Sequence, residues 1–260
     1  GSDPKDLAAV CKIADNYAYS EINLNCGCPS DRVQNGMFGA VMMKNAKITA
    51  NCVAAMIDAT TLPVTVKHRI GVDDFDSYDF LCQFVGTVAA SGCSTFLVHA
   101  RKAWLQGLSP KQNREVPELN YDRVYQLKKD FPDLEFIING GISTLDESVT
   151  HLNNIDGVML GREAYTNPYI LSQVDRIIYG DEKPIKTREK IAEEFVEYVD
   201  NEMVKGVKLN AMTRHILGLY HGMPGARQFR RHISENAYKS TATIDVLINA
   251  LKFTSGASTR

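Results

Sequence analysis

No apolar run in this 260-residue chain approaches the ~20 residues that a membrane-spanning helix needs. No secretory apolar segment opens it either. Cysteine is sparse and one-sided: the six residues at 11, 26, 28, 52, 82 and 93 all fall in the first hundred. That distribution is not a secreted disulfide framework, and it points to a reducing cytoplasm. Cys26 and Cys28 are a Cys-x-Cys pair with no second ligand pair after it, which argues against a zinc site and leaves no metal expected. No Gly-x-Gly-x-x-Gly follows any strand-like segment, so a dinucleotide-binding Rossmann fold is disfavoured. Internal repeats and low-complexity tracts are absent. A net charge of −2 by itself argues neither for nor against nucleic acid.

What is present is a strict alternation of short β-type runs with helical ones. Asp3-Pro4 is a helix start, a capping residue followed by proline at the first helical position, and apolar residues recur at helical spacing over 4–17. Strands are expected at 21–25, 64–68, 95–99, 135–139 and 157–160, with helices near 47–59, 76–90 and 121–130 and a short one after Ser143. This pattern implies a parallel α/β sheet with right-handed crossovers. Two architectures fit: an open doubly wound sheet, or part of a (β/α)8 barrel. Residues 100–120 are long for a loop, and Trp104, Leu105 and Leu108 within them argue against disorder.

From about 187 the pattern changes. Thr187 is placed to cap a helix running to about 205, and helices near 208–219, 225–236 and 242–253 follow, with no strand. The expected organisation is a partial barrel over 1–180, a linker over 181–186, a helical domain over 187–253 and a frayed tail over 254–260. Seven Lys/Arg (205, 208, 214, 227, 230, 231, 239) against the single acid Glu235 make 203–239 the clearest positive segment. On a helix Arg227, Arg230 and Arg231 share a face. A merely solvated face is the plain alternative.

Chemistry-bearing residues gather at the ends of the expected strands: Asn25 and Cys28, then Lys67 and Arg69, His99 and Arg101, Asn139 with Gly140-Gly141, and Gly161-Arg162. A lone cysteine is more often core than catalyst, and any one of these residues read singly is ordinary. In a parallel barrel, however, all of them face one pocket. Asn139-Gly-Gly and Gly161-Arg162 also fall where barrels bind phosphate, because glycine lets backbone N–H groups approach an anion.

Five stretches carry a resemblance. Asn23-Leu-Asn-Cys-Gly-Cys-Pro-Ser-Asp-Arg-Val33, Val64-Thr-Val-Lys-His-Arg-Ile-Gly71, Val98-His-Ala-Arg101, Ile138-Asn-Gly-Gly-Ile142 and Asp156-Gly-Val-Met-Leu-Gly-Arg162 resemble the tRNA-dihydrouridine synthases. These are flavoproteins that reduce uridine in the D-loop of tRNA. Gly107-Leu-Ser-Pro-Lys-Gln-Asn-Arg-Glu-Val116 is similar to the A branch of the bacterial family, which acts at positions 20/20a. The resemblance runs over nearly the whole chain.

It implies a (β/α)8 barrel followed by a helical tRNA-binding domain, with FMN as cofactor, NADPH as reductant and tRNA as partner. It also implies a cytoplasmic enzyme, monomeric when full length, with no membrane association and no metal. Cys28 then matches the catalytic acid, and Asn25 the asparagine beside flavin and uracil. Lys67 matches the lysine at the flavin's pyrimidine edge and His99 a flavin-site histidine. Asn139, Gly140, Gly141, Gly161 and Arg162 match the FMN phosphate cradle. Arg69, Arg101, Lys102 and Lys111 fall where substrate contacts are expected, and Arg227, Arg230 and Arg231 where tRNA backbone is. A free thiol titrates near 8.5, so at neutral pH it is mostly protonated, which suits an acid.

Family members open with three βα units before Gly1-Ser-Asp-Pro4. About 60–90 residues, or roughly the first three strands, are therefore expected to be missing, at ~30 residues per unit in a ~250-residue barrel. Two rivals remain open from sequence: a dihydroorotate dehydrogenase-like flavin enzyme acting on a free pyrimidine, and a non-catalytic RNA-binding remnant.

Overall fold

The computed structural model describes residues 1–31 and 36–254. Arg32 and Val33 of the first resembling stretch lie outside the described residues, as does the expected tail apart from Thr254. The chain divides into two compact units, one made of 1–142 with 146–159, the other of 143–145 with 160–260.

The first unit is an α/β layer. Its helices are α1 (Pro4–Ala14), α2 (Ala46–Ile57), α3 (Tyr78–Ala89), α4 (Tyr121–Asp130) and α5 (Leu145–Leu152). Between them run β1 (Ile22–Cys26), β2 (Val64–Arg69), β3 (Thr95–His99), β4 (Glu135–Asn139) and β5 (Gly157–Met159). Local chemistry accounts for the helix starts. Asp3 Oδ1 accepts from the Lys5 and Asp6 amides ahead of α1, with Pro4 as its first residue. Asn45, Ser77 and Asn120 cap α2, α3 and α4 in the same way.

Among the described residues all strands are parallel and lie in the order β1-β2-β3-β4-β5. Each crossover therefore steps the same way. A doubly wound sheet reverses direction at a switch point, and no reversal occurs among the described residues. The order is that of a β/α barrel wall, and the doubly wound alternative falls.

Strand periodicity sorts the side chains onto two faces. Val66, His68, Phe84 from α3, Phe96, Phe136 and Ile138 are buried together, with Phe96 and Phe136 rings stacked at 5.8 Å. The sequence Lys67-His68-Arg69 reads as a basic triplet, but the alternation splits it. His68 is fully buried between Phe84 and Phe96, at ring distances of 5.2 and 5.8 Å. Its Nδ1 lies 2.7 Å from the Arg69 carbonyl oxygen. Burial pushes its pKa down to about 4, so His68 is a neutral core residue.

The second unit is helical: α6 (Arg162–Thr166), α7 (Val174–Tyr179), α8 (Arg188–Val204), α9 (Leu209–Thr213), α10 (Ala226–Asn236) and α11 (Asp245–Leu251). Val199, Phe229, Leu247 and Ala250 form its fully buried centre, with Tyr220 and Ile233 against them. The helix expected over 208–219 stops at Thr213. Beyond it the amides of His215, Ile216 and Leu219 bond three residues back, and the chain tightens into turns. Gly218 shows the reason: a Cβ there would lie 2.2 Å from the Thr166 carbonyl oxygen, so the backbone closes on α6 where a helix would carry side chains.

Candidate functional site

Parallel register places two rows of side chains on the sheet face opposite His68. Asn25, Lys67, Leu97 and Ile137 pair across β1 to β4, and Arg69, His99, Asn139 and Met159 pair across β2 to β5 one step nearer the C-terminal ends. Chemistry thus concentrates where parallel sheets place it.

The loop after β1 is built by its own polar groups. Asn25 Oδ1 accepts from the Gly27 amide at 2.9 Å and the Cys28 amide at 3.2 Å, folding the chain back on itself. The Ala40 amide donates to the Cys28 carbonyl at 2.8 Å. Cys28 is half-buried, with Sγ 3.5 Å from Ser30 Oγ. Cys26, two residues earlier, is fully buried on the other face, and burial drives its thiol pKa strongly upward.

Lys67 Nζ donates to Asn139 Oδ1 at 3.0 Å, and Asn139 Nδ2 donates to the Met159 carbonyl at 2.7 Å. One polar chain thereby crosses β2, β4 and β5. No carboxylate meets Lys67 among the described residues, and burial brings its pKa down to about 8, with Arg69 adding to the effect. His99 is largely buried and packs against Gly140, where an added Cβ would sit 2.6 Å from His99 Cδ2.

The residues expected to meet substrate have varied settings. Arg69 is buried, and its guanidinium is committed to backbone. Nε donates to the Gly27 carbonyl at 3.2 Å, and Nη1 to those of Asn113 at 2.7 Å and Lys102 at 3.2 Å. Burial first, then Arg114 and Arg101 nearby, lower its pKa to about 10, so it stays charged at neutral pH. This geometry makes Arg69 a tie between the loop after β1 and the 100–120 loop. Lys102 Nζ is held by Asp76 at 2.8 Å and lies 4.0 Å from the centroid of the Trp104 ring. Arg101 donates to the Pro117 carbonyl. Lys111 is exposed.

Sequence reasoning missed Asn113. It is fully buried, accepts from the Trp104 amide at 2.7 Å and donates back to the Trp104 carbonyl at 2.9 Å. It also reaches the Leu108 carbonyl at 3.2 Å. This asparagine orders the long 100–120 loop, and no local pattern marks it among the polar residues around it.

The remaining site residues belong to the second unit. Gly161 and Arg162 are exposed at the start of α6. On α10, Ala226, Phe229 and Ile233 face the core, which leaves Arg227 and Arg231 exposed and Arg230 half-buried. Arg231 Nε pairs with Glu235 at 2.7 Å.

Fold and site together describe an α/β enzyme of the β/α-barrel kind, with a thiol and a lysine at its strand ends. The family model described as "Dihydrouridine synthase (Dus)" matches residues 1–255, and the chain belongs to that family. It is 57% identical over 252 residues to a tRNA-dihydrouridine(20/20a) synthase of Vibrio cholerae, covering 96% of this chain and 77% of that protein. It is also 57% identical over 253 residues to the enzyme of that name from Escherichia coli K12, covering 97% and 73%. Among solved structures, a dihydrodipicolinate synthase from Agrobacterium tumefaciens aligns over 97% of this chain and 92% of its own at 10% identity and a TM-score of 0.47, a likeness too loose to bear on function. Family membership makes the chain a tRNA-modifying oxidoreductase, and the free-pyrimidine dehydrogenase reading falls. Among the described residues no helix is long and apolar enough to cross a membrane.

Proposed function

We propose that the protein reduces uridine to 5,6-dihydrouridine in the D-loop of tRNA, at position 20 or 20a, with FMN as cofactor, NADPH as reductant and Cys28 as general acid. The observation that carries this reading is the Lys67–Asn139 pair beside the Cys28 loop, on the polar face of the strand ends. The residues fit a flavin. Lys67 is a cation without a carboxylate partner among the described residues, suited to the electron-rich pyrimidine edge. Gly140 and Gly141 both have positive φ, 119° and 77°, and admit backbone close to an anion. Asn25 and His99 border the same strand ends. Gly161 and Arg162 enter the proposal on the family resemblance alone. The flavin supplies the hydride chemistry when bound.

The chain's own part is position and a proton. The Asn25 and Arg69 hydrogen bonds hold the Cys28 loop in place. The Cys28 S–H donates its proton to C5 of the uracil as C6 gains hydride. The test is dihydrouridine formation in unmodified tRNA supplied with FMN and NADPH. No product under those conditions, with flavin bound, overturns the reading in favour of a non-catalytic RNA-binding remnant.

A pH dependence follows from Lys67. With its pKa lowered to about 8, the side chain is charged below that pH and neutral above it. Flavin held through this charge binds about tenfold more weakly at pH 9 than at pH 7, following the protonated fraction. Flavin titrations across that range check it, and a flat profile removes Lys67 from the pyrimidine edge.

The helical part, 187–253, is proposed to bind tRNA in the cytoplasm through the α10 arginines Arg227, Arg230 and Arg231, since arginine forks suit phosphate oxygens. Replacing Arg230 and Arg231 with glutamate weakens tRNA binding by at least about tenfold and flattens its salt dependence, because fewer counterions are released. Flavin content stays unchanged. Wild-type affinity and salt slope in the variant would mark the face as ordinary surface.

A further inference from the structure

Tyr121 is used by nothing described so far, yet it sits directly on the Gly140-Gly141 turn. Its hydroxyl donates to the Gly140 carbonyl at 2.6 Å. A peptide unit is planar and trans, so the Gly140 C=O and the Gly141 N–H point in opposite directions. Holding one aims the other. Glycine is required at both positions: a Cβ on Gly140 would meet His99 at 2.6 Å, and one on Gly141 would lie 2.8 Å from Leu119 Cδ1 and 3.1 Å from the Tyr121 oxygen. Protein therefore packs one side of the turn, while Gly141 itself is exposed. Glycine is also the most mobile residue, and two in succession hold no preferred direction unless something restrains them.

The restraint is itself anchored. Tyr121 is the first residue of α4, where Asn120 Oδ1 caps the Arg123 amide at 3.1 Å. The Asn120 amide donates to the Ala100 carbonyl, and the Ala100 amide to the Asn139 carbonyl, both at 2.8 Å. The Tyr121 ring meets the His151 ring edge-on at 4.5 Å between centroids, and His151 Nδ1 lies 2.6 Å from the Tyr125 hydroxyl. The phenol has little room to swing away.

We infer that Tyr121 is a positioning residue for anion binding, its hydroxyl turning the Gly141 N–H toward the phosphate end of the bound flavin. The inference rests on the flavin reading above.

The experiment compares FMN with riboflavin, which lacks the phosphate, in titrations of the whole chain followed by flavin fluorescence. Wild type holds FMN more tightly than riboflavin. Tyr121→Phe binds FMN about tenfold more weakly, the scale of one hydrogen bond to a charged group, and riboflavin as before. Tyr78→Phe, whose hydroxyl donates to Asp130 at the far end of α4, keeps both affinities. If Tyr121→Phe weakens both flavins equally, or neither, Tyr121 is packing only and the inference fails while the flavin reading stands. A wild-type chain that binds neither flavin, or both equally, overturns the reading itself. Should Tyr121→Phe not fold, the wild-type Gly141 amide resonance decides the matter. It moves downfield on adding FMN and not on adding riboflavin, and no such difference overturns the inference.

Discussion

Cys28→Ala abolishes dihydrouridine formation, by at least the ~100-fold that a general acid contributes, and leaves flavin binding as in wild type. The fold sets this residue apart from the other five cysteines. Cys11, Cys26, Cys52 and Cys93 are buried, and Cys82 lies on α3 in the helical layer. For each of the five, burial is the largest influence on the thiol and raises its pKa. Cys28 alone lies on the loop after β1, half-buried, with its backbone fixed by Asn25 and Ala40. Those contacts are backbone ones and survive the substitution, so loss of the thiol is not loss of the loop. Cys28→Ser restores a donor of similar size, but a hydroxyl is a far weaker acid, and its activity falls well below that of the thiol. The measurement is dihydrouridine yield per bound flavin. Wild-type yield from Cys28→Ala would remove the proposed role.

Arg69→Met lowers both stability and activity. The guanidinium joins the carbonyl of Gly27, on the loop after β1, to those of Lys102 and Asn113, both on the 100–120 loop after β3. Methionine fills part of the space and leaves those carbonyls without their donor. The expected cost is about 2–4 kcal/mol in denaturant unfolding. Because the loop after β1 carries Cys28, turnover drops along with stability. Arg69→Lys keeps the charge but cannot span three acceptors, so it recovers only part of both. A residue that merely touched tRNA would behave differently, raising KM without changing stability. That result would return Arg69 to the substrate-contact role that its place in the sequence suggests.

The helical and strand periods are local, so the chain's composition along its length was enough to lay out the first unit. Val64 to Arg69 and Thr95 to His99 read as strands because β-branched and aromatic residues cluster there between turn formers. Asp3 and Thr187 announced their helices because capping depends on residues only three positions apart. The 208–219 segment misled for the converse reason. Its helical pattern is genuine, but Gly218 must let the backbone pass Thr166, a contact made by residues some fifty positions apart.

The sequence by itself determined the alternation of strand and helix, the placement of polar residues at strand ends and the family. All three are written in short stretches whose spacing is set by a backbone period. Only the tertiary structure decided what each polar group does. It turned His68 from a basic residue into a neutral core one, tied Arg69 to two loops and paired Lys102 with Asp76. It also brought out what Asn113 and Tyr121 hold, which no local pattern shows. The physical reason is that hydrogen bonds and burial depend on neighbours in space. Those neighbours lie tens of residues away along the chain, where no local pattern can name them.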